Sequence, residues 1–134
     1  LVMPIHHRTK NSLINHNLFK QLENNPKVII TEGLNYLAFQ KLIASCQYVL
    51  TDSGGIQEET TYRQVPCLTL RENTERPITI TLGTNELVEY NYGAVAKKIN
   101  EIETGNYKKG EIPPMWDGQA TKRIVKVLHE ILTS

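Results

Sequence analysis

The chain has 134 residues, with 40% hydrophobic and 22% charged residues, which is ordinary for a globular domain with a real core. Its formal net charge of +1 gives no electrostatic case for binding nucleic acid or an anionic membrane. No apolar run approaches the roughly 20 residues of a membrane-spanning helix, and no signal peptide is visible. We therefore expect a cytoplasmic protein that binds neither nucleic acid nor membrane.

Cys46 and Cys67 are the two cysteines of the chain, and their spacing fits neither a metal site nor a redox motif. We expect both to be reduced and buried as small hydrophobic residues. The histidines also lack a third ligand at metal-binding spacing. The sequence therefore predicts no metal site and no cofactor.

The first half of the chain alternates short apolar segments with segments of helical periodicity. In chain order, the pattern predicts a strand over 1–5, a polar loop over 6–10, a helix over 11–24, a strand over 28–31 and a helix over 36–45. The helix over 11–24 is indicated by Ile14, Leu18 and Leu22, which recur every four residues.

The second half continues the same alternation. It predicts a strand over 48–51, a helix over 56–63, a strand over 66–70, a helix over 77–81, a strand over 86–89, a helix marked by residues 95, 99 and 102, and a closing helix from about 124 to 132. A loop rich in glycine and proline covers 108–115.

Short apolar strands that alternate with helices predict an α/β fold of the Rossmann-like type, with a parallel sheet in a three-layer α/β/α arrangement. In such sheets, ligands bind at the carboxyl ends of the strands. His6, the run 53–55 and the run 71–76 each follow a predicted strand. We therefore expect them to share one edge of the domain.

The run Ser53, Gly54 and Gly55 lies between a predicted buried strand and a predicted helix. Free backbone N–H groups at a helix N-terminus form an anion site, and glycine lets a phosphate approach the backbone closely. The serine hydroxyl can donate to a phosphoryl oxygen. The same residues can also form a simple tight turn with a serine cap.

Two acids and an arginine extend this motif. Glu58 and Glu59 fall in the first turns of the helix, where acids complement the helix dipole or accept from ribose hydroxyls. Arg76 lies on the next loop, and a guanidinium fits a phosphate through two parallel hydrogen bonds. Arg76 could instead pair with Glu75, and Arg71 is the weaker phosphate candidate.

His6 and Phe39 are two further candidates. A histidine at the end of the first strand can act as a general acid or base, or as a cationic phosphate contact, although a loop histidine can also be simply solvated. Phe39 follows a strand-to-helix turn with Tyr36, a position that can cover a base or pack into the core.

Together these segments resemble the C-terminal half of the non-hydrolysing UDP-N-acetylglucosamine 2-epimerases. The resemblance runs over essentially the whole chain, and it rests on residues 4–9, 50–59, 71–77, 83–85 and 117–120. It implies one half of a GT-B-type fold, as found in glycosyltransferases, so that residues 1–134 form the C-terminal UDP-binding domain without the N-terminal domain. His7 departs from the family pattern, which usually has proline at this position, and a paralogue acting on another UDP-sugar stays open.

The resemblance implies a role for each matching position. Ser53, Gly54 and Gly55 bind the diphosphate, Glu59 accepts from the ribose, Arg76 contacts the diphosphate or the sugar, Phe39 lies beside uracil, and His6 is the catalytic candidate. The implied reaction interconverts UDP-N-acetylglucosamine and UDP-N-acetylmannosamine, for cell-envelope polysaccharides, by elimination and re-addition of UDP. The implied partners are the UDP-sugar, the absent first domain and a second copy in a homodimer of the full-length form.

Two alternatives stay open. A GT-B glycosyltransferase or a hydrolysing epimerase shares this half-fold, and a small stand-alone nucleotide-binding module is a different class. The start of the chain in a predicted strand and the lack of its own acid–base pair favour a fragment, which we expect to be catalytically inactive alone.

Overall fold

The computed structural model of the chain describes residues 1–133. It divides into two compact units, Leu1–Leu42 and a second that begins at Ile43. Within the described residues, every strand pairing is parallel, in a two-stranded sheet, β1–β2, and a three-stranded sheet in the order β3–β4–β5. This confirms the predicted α/β class with parallel strands.

The first unit contains the smaller sheet. Its elements are β1 (Val2–Pro4), α1 (His7–Asn15), α2 (Phe19–Glu23) and β2 (Ile29–Thr31), and they are followed by α3 (Tyr36–Ser45). Val2 lies opposite Ile29 and Pro4 opposite Thr31. The predicted bounds of α3 are confirmed.

The predicted polar loop over 6–10 and single helix over 11–24 are wrong. The helix already begins at His7, because the His6 side chain caps it, and it ends at Asn15. Asn17 then takes a left-handed backbone conformation with φ of 56°, which asparagine tolerates better than most residues. The four-residue spacing of Ile14, Leu18 and Leu22 continues across this break, so the periodicity could not reveal it.

The second unit contains the larger sheet. Its elements are β3 (Val49–Thr51), α4 (Gly54–Arg63), β4 (Cys67–Thr69), α5 (Pro77–Thr81), β5 (Asn85–Leu87), α6 (Tyr92–Glu103) and α7 (Ala120–Thr133). β4 is the central strand, and Cys67 lies opposite both Val49 and Asn85. Since β3 and β4 are parallel neighbours, the segments that follow them leave the same edge of this sheet.

The core of the second unit lies on the β4 and α6 side. Leu68 is fully buried and clusters with Val88 and Tyr107. Partly buried side chains pack against this cluster, namely Leu70, Val95, Ile99 and Ile102. The Tyr107 hydroxyl is buried and donates to the backbone oxygens of Cys67 and Thr84, at 3.1 and 2.9 Å.

The cysteines are both free, but only Cys67 is fully buried, whereas Cys46 is half-buried. Burial raises the pKa of both thiols. The prediction of two buried cysteines is therefore correct for Cys67 and only partly correct for Cys46.

The closing helix α7 is amphipathic, with an exposed apolar face formed by Ile124, Val127, Leu128 and Ile131. Asp117 and Arg123 form an ion pair at its start, and this pairing lowers the pKa of the Asp117 carboxyl. Within residues 1–133, no helix is both long and apolar enough to cross a membrane.

Candidate functional site

The N-terminus of α4 presents unused hydrogen-bond donors at the end of β3. Ser53 is extended, with φ of −88° and ψ of 128°, and α4 starts directly after it at Gly54. The first N–H groups of a helix have no intrahelical acceptor. The Ser53 hydroxyl makes no capping bond to them within the part of the chain that the structure describes. Both the helix N-terminus and the serine hydroxyl can therefore serve a ligand.

Gly54 and Gly55 leave open space at this helix start. A Cβ added to either glycine would meet no atom of residues 1–133 within 4 Å, and neither glycine has a positive φ. The turn therefore does not require glycine for its own conformation. What the glycines provide is backbone that a ligand can approach closely.

The two acids of α4 are both half-buried, but they have different surroundings. The Glu58 carboxylate lies 2.9 Å from Arg76 Nε, with both side chains 41% exposed. The alignment of this ion pair is not that of a hydrogen bond, and Nε makes none with any described residue. At this exposure, the pair adds little to stability, but it brings the Arg76 guanidinium to α4.

Arg76 directly precedes α5, whose first residue is Pro77. The sequence offered Glu75 as its alternative salt-bridge partner, and the structure corrects this. The ion pair is made with Glu58, whereas Glu75 accepts from Arg76 Nη1 only through its backbone oxygen, at 3.3 Å.

A buried polar network connects α4, the 74–76 turn, β4, α5 and β5, and the sequence analysis missed it. Its centre is the Gln57 Oε1 atom, which accepts from Thr74 Oγ1 at 2.6 Å and from Asn85 Nδ2 at 3.1 Å. Gln57 and Asn85 are both fully buried. The sequence signal that could have revealed this network is the presence of two amide side chains, Gln57 and Asn85, inside otherwise well-packed elements. Buried polar groups are almost always hydrogen-bonded, so two such amides indicate a shared network.

His6 lies two residues after the end of β1 in the first unit and caps α1. Its Nδ1 accepts from the backbone N–H of Arg8 at 3.3 Å. An acceptor at Nδ1 assigns the proton of the neutral ring to Nε2. The ring is exposed and lies 4.1 Å from the His7 ring, centroid to centroid. His6 therefore presents Nε2–H to the outside.

A cavity of about 700 Å³ lies in the first unit beside His6. Its lining combines cationic, acidic and apolar side chains, among them His6, Lys10, Phe19, Glu23 and Glu32. Phe39 is not part of this lining. It lies half-buried on α3, and this exposure is compatible both with covering a base and with packing into the core.

The structure thus places three of the seven candidate residues at one helix terminus, namely Ser53, Gly54 and Gly55. The ion pair with Glu58, one turn into the same helix, brings Arg76 to α4. Glu59 is on the same helix, a little more than one turn from Gly55. That His6 and Phe39 share a site with these residues stays a prediction. No group of three or more potential metal-ligating side chains in residues 1–133 is arranged to hold a metal ion.

Comparison with known proteins identifies what this arrangement is similar to. The family model of UDP-N-acetylglucosamine 2-epimerase matches residues 1–129. The UDP-N-acetylglucosamine 2-epimerase of Methanocaldococcus jannaschii is 43% identical over 96% of the chain and 34% of its own length. The chain thus spans about a third of the length of the relatives that it matches.

Solved structures give the same result. The chain is similar to the M. jannaschii UDP-GlcNAc 2-epimerase in complex with UDP-GlcNAc and UDP, with a TM-score of 0.82 and 40% identity over 96% of this chain and 35% of that one. It is also similar to the UDP-GlcNAc 2-epimerase of Neisseria meningitidis bound to UDP-GlcNAc, with a TM-score of 0.81 and 32% identity over 96% and 35% of the two chains. These neighbours confirm the predicted Rossmann-like half of a GT-B-type fold.

Proposed function

Because the chain belongs to the UDP-N-acetylglucosamine 2-epimerase family, we propose that it is the UDP-binding C-terminal domain of an enzyme that interconverts UDP-N-acetylglucosamine and UDP-N-acetylmannosamine. The observation that carries this proposal is the open, uncapped start of α4 at Gly54 and Gly55. The oxygens of a diphosphate can accept from several N–H groups there at once.

The roles at this terminus follow from the chemistry of each group. The backbone N–H groups of Gly54 and Gly55 and the Ser53 hydroxyl donate to the diphosphate. Arg76 adds a positive charge from the neighbouring turn, where Glu58 already draws its guanidinium to α4. Glu59 accepts from the ribose hydroxyls, because a carboxylate is repelled by phosphate but binds hydroxyl donors.

In the proposed reaction, UDP departs with the bonding electrons of the C1–O bond while the C2 proton is removed, which leaves a 2-acetamidoglucal. UDP then adds back at C1, and a proton returns to C2 on the opposite face. This domain binds and stabilises the leaving diphosphate. The carboxylates that handle the C2 proton belong to the first domain of the full-length protein.

For His6 and Phe39, which belong to the first unit, the family resemblance is the support. It assigns His6 as the catalytic candidate near the diphosphate and sugar, and Phe39 as the residue beside uracil. We further propose a cytoplasmic, homodimeric full-length enzyme, for which the family resemblance is the support.

A titration with UDP tests the proposed site directly. Nuclear magnetic resonance spectra of the 134-residue chain are expected to show shifts of the backbone amides of residues 53–59 as UDP is added. Gly55→Ala is expected to weaken UDP binding by about tenfold, because the methyl group displaces the diphosphate from the helix N–H groups. Shifts confined to other residues would remove α4 from the site.

Gly93→Ala, in the first turn of α6, is the matched control. Gly93 is exposed, it lacks a positive φ, and the one described atom that its added Cβ would meet within 4 Å is Asn91 Oδ1, at 3.3 Å. Its affinity for UDP is expected to stay at the wild-type value. Equal weakening by both substitutions would show that the effect at Gly55 is not specific to the helix start.

A further inference from the structure

We propose that Gln57, Asn85, Thr74 and Thr79 form a positioning network that fixes the backbone of Arg76 and so aims its guanidinium along α4. The inference rests on the proposed UDP site and names residues that act through Arg76 rather than on the ligand. All of these residues belong to the second unit.

Both backbone polar groups of Arg76 are bound by hydroxyls. The Arg76 N–H donates to Thr74 Oγ1 at 3.0 Å, and the Arg76 carbonyl oxygen accepts from Thr79 Oγ1 at 2.7 Å. A residue that directly precedes a five-residue helix is therefore held from two sides. Its position depends on where the two hydroxyls are held.

The buried amides hold these two hydroxyls. Thr74 Oγ1 donates to Gln57 Oε1 at 2.6 Å, and Thr79 Oγ1 accepts from Asn85 Nδ2 at 3.1 Å. Asn85 Nδ2 also donates to Gln57 Oε1, which closes the network. Gln57 lies on α4, next to Glu58, so the network connects the turn of Arg76 to the helix that carries the proposed diphosphate site.

The anchoring of this network is rigid. Asn85 lies on β5, and its Oδ1 accepts from Thr69 Oγ1 on β4 at 2.6 Å. Gln57, Asn85, Thr69 and Thr79 are all fully buried. Apart from Gln57 Nε2, the linking side-chain atoms of this network are hydrogen-bonded, and such buried bonds restrict its arrangement.

The arrangement is not optimised for stability alone. Gln57 Nε2 is buried and makes no hydrogen bond with any residue that the structure describes. An unsatisfied buried donor destabilises the fold. The side-chain amide of Gln57 therefore contributes to the network through Oε1, which accepts from Thr74 Oγ1 and Asn85 Nδ2 and so aligns the Thr74 hydroxyl.

Thr74 offers the cleanest substitution, because it is only half-buried. Thr74→Val keeps the shape of the side chain and removes both of its hydrogen bonds, whereas Thr74→Ser keeps the hydroxyl. Isothermal titration of the 134-residue chain with UDP is expected to show about tenfold weaker binding for Thr74→Val. Thr74→Ser is expected to stay within about twofold of wild type. Thr81→Val, an exposed threonine of α5, is the matched control and is expected to bind as wild type does.

A double-mutant cycle with Arg76→Ala separates positioning from a general loss of structure. If Thr74 acts through Arg76, Thr74→Val weakens UDP binding in the wild-type background and changes nothing further in the Arg76→Ala background. Equal weakening in both backgrounds would overturn the proposal, as would a Thr74→Ser variant no better than Thr74→Val.

A measurement without ligand distinguishes failure of this inference from failure of the proposed function. If the wild-type chain does not bind UDP, the proposed UDP site is contradicted, but the positioning network is not. The ¹⁵N relaxation of Arg76 Nε in the free protein still reports whether the guanidinium is ordered. Thr74→Val is expected to make Nε mobile, whereas Thr74→Ser and Thr81→Val leave it ordered, and an unchanged Nε in Thr74→Val would overturn the network.

Discussion

Tyr107 is a residue whose acid–base chemistry is strongly changed by folding. Burial raises the pKa of its phenol far above the usual value, and the negative charge of Glu86 acts in the same direction. The hydroxyl donates to the backbone oxygens of Cys67 and Thr84, which belong to β4 and to the residue before β5. Folding thus favours the protonated form of this phenol.

This shift predicts a loss of stability at high pH. The unfolded phenol loses its proton near pH 10, whereas the folded phenol keeps it. The stabilisation is therefore complete below about pH 10 and falls above it, by up to roughly 1.4 kcal/mol per pH unit. Tyr107→Phe is expected to remove this contribution to the slope, and to cost about 1–3 kcal/mol at neutral pH because two carbonyls lose their donor.

Urea denaturation of wild type and variant between pH 8 and pH 11 measures both effects, and the difference between the two slopes isolates Tyr107 from other groups. Lys98, whose pKa is raised by hydrogen bonds to Glu101 and Glu86, contributes equally to both proteins. Tyr62→Phe, on the exposed side of α4, is the control and is expected to keep the wild-type slope. A Tyr107→Phe slope equal to that of wild type would contradict the assignment.

For individual residues of the candidate site, the sequence could not show which side chains contact each other. The chemistry of Arg76 indicated an ion pair, but its sequence neighbour Glu75 was the obvious partner, and only the fold brings Glu58 to it. Gln57 and Asn85 are 28 residues apart and were not recognised, because nothing local in the sequence shows that two amides meet.

At the scale of elements, close backbone approach decides where glycine is needed. A Cβ on Gly83 would lie 2.6 Å from the Thr79 backbone oxygen and against the Thr61 side chain. Gly83 lies two residues after the end of α5 and is close to Thr61 of α4, so α5 could not stay where it is if a methyl group were added. The glycines of the proposed UDP site, by contrast, have open space around them.

Gly83→Ala is therefore expected to destabilise the fold by about 1–3 kcal/mol, the usual cost of overpacking. Gly33→Ala should stay within about 0.5 kcal/mol of wild type, as surface substitutions usually do. Thermal or urea unfolding of the two variants measures this difference. A Gly83→Ala variant as stable as wild type would mean that α5 moves freely relative to α4.

The order and type of most elements could be predicted because most strands are short apolar or β-branched runs that alternate with segments of helical periodicity. β5, with the sequence Asn-Glu-Leu, is an exception, and its prediction as 86–89 was shifted by one to two residues. The break between α1 and α2 could not be predicted, because Ile14, Leu18 and Leu22 keep helical spacing through it. The start of α4 was expected two residues late, since Gly54 and Gly55 were interpreted as a turn although both are helical.

At the scale of the whole molecule, the chain spans about a third of the length of its relatives. We expect the 134-residue chain to bind UDP but not to turn over UDP-N-acetylglucosamine, because in the proposed reaction carboxylates of a first domain handle the proton at C2. Proton spectra of UDP-N-acetylglucosamine incubated with the chain in D₂O should show neither exchange at C2 nor a second sugar. The full-length protein is the positive control. Turnover by the short chain would refute the proposal that the first domain handles the C2 proton while this chain binds UDP.

The fully buried Cys67 has a practical consequence. Its thiol lies in the middle of β4, the central strand of the larger sheet, and burial raises its pKa. A thiol-modifying reagent therefore reaches it only when that strand opens. The rate at which Cys67 is modified therefore measures how often this sheet opens, and the measurement needs no engineered label.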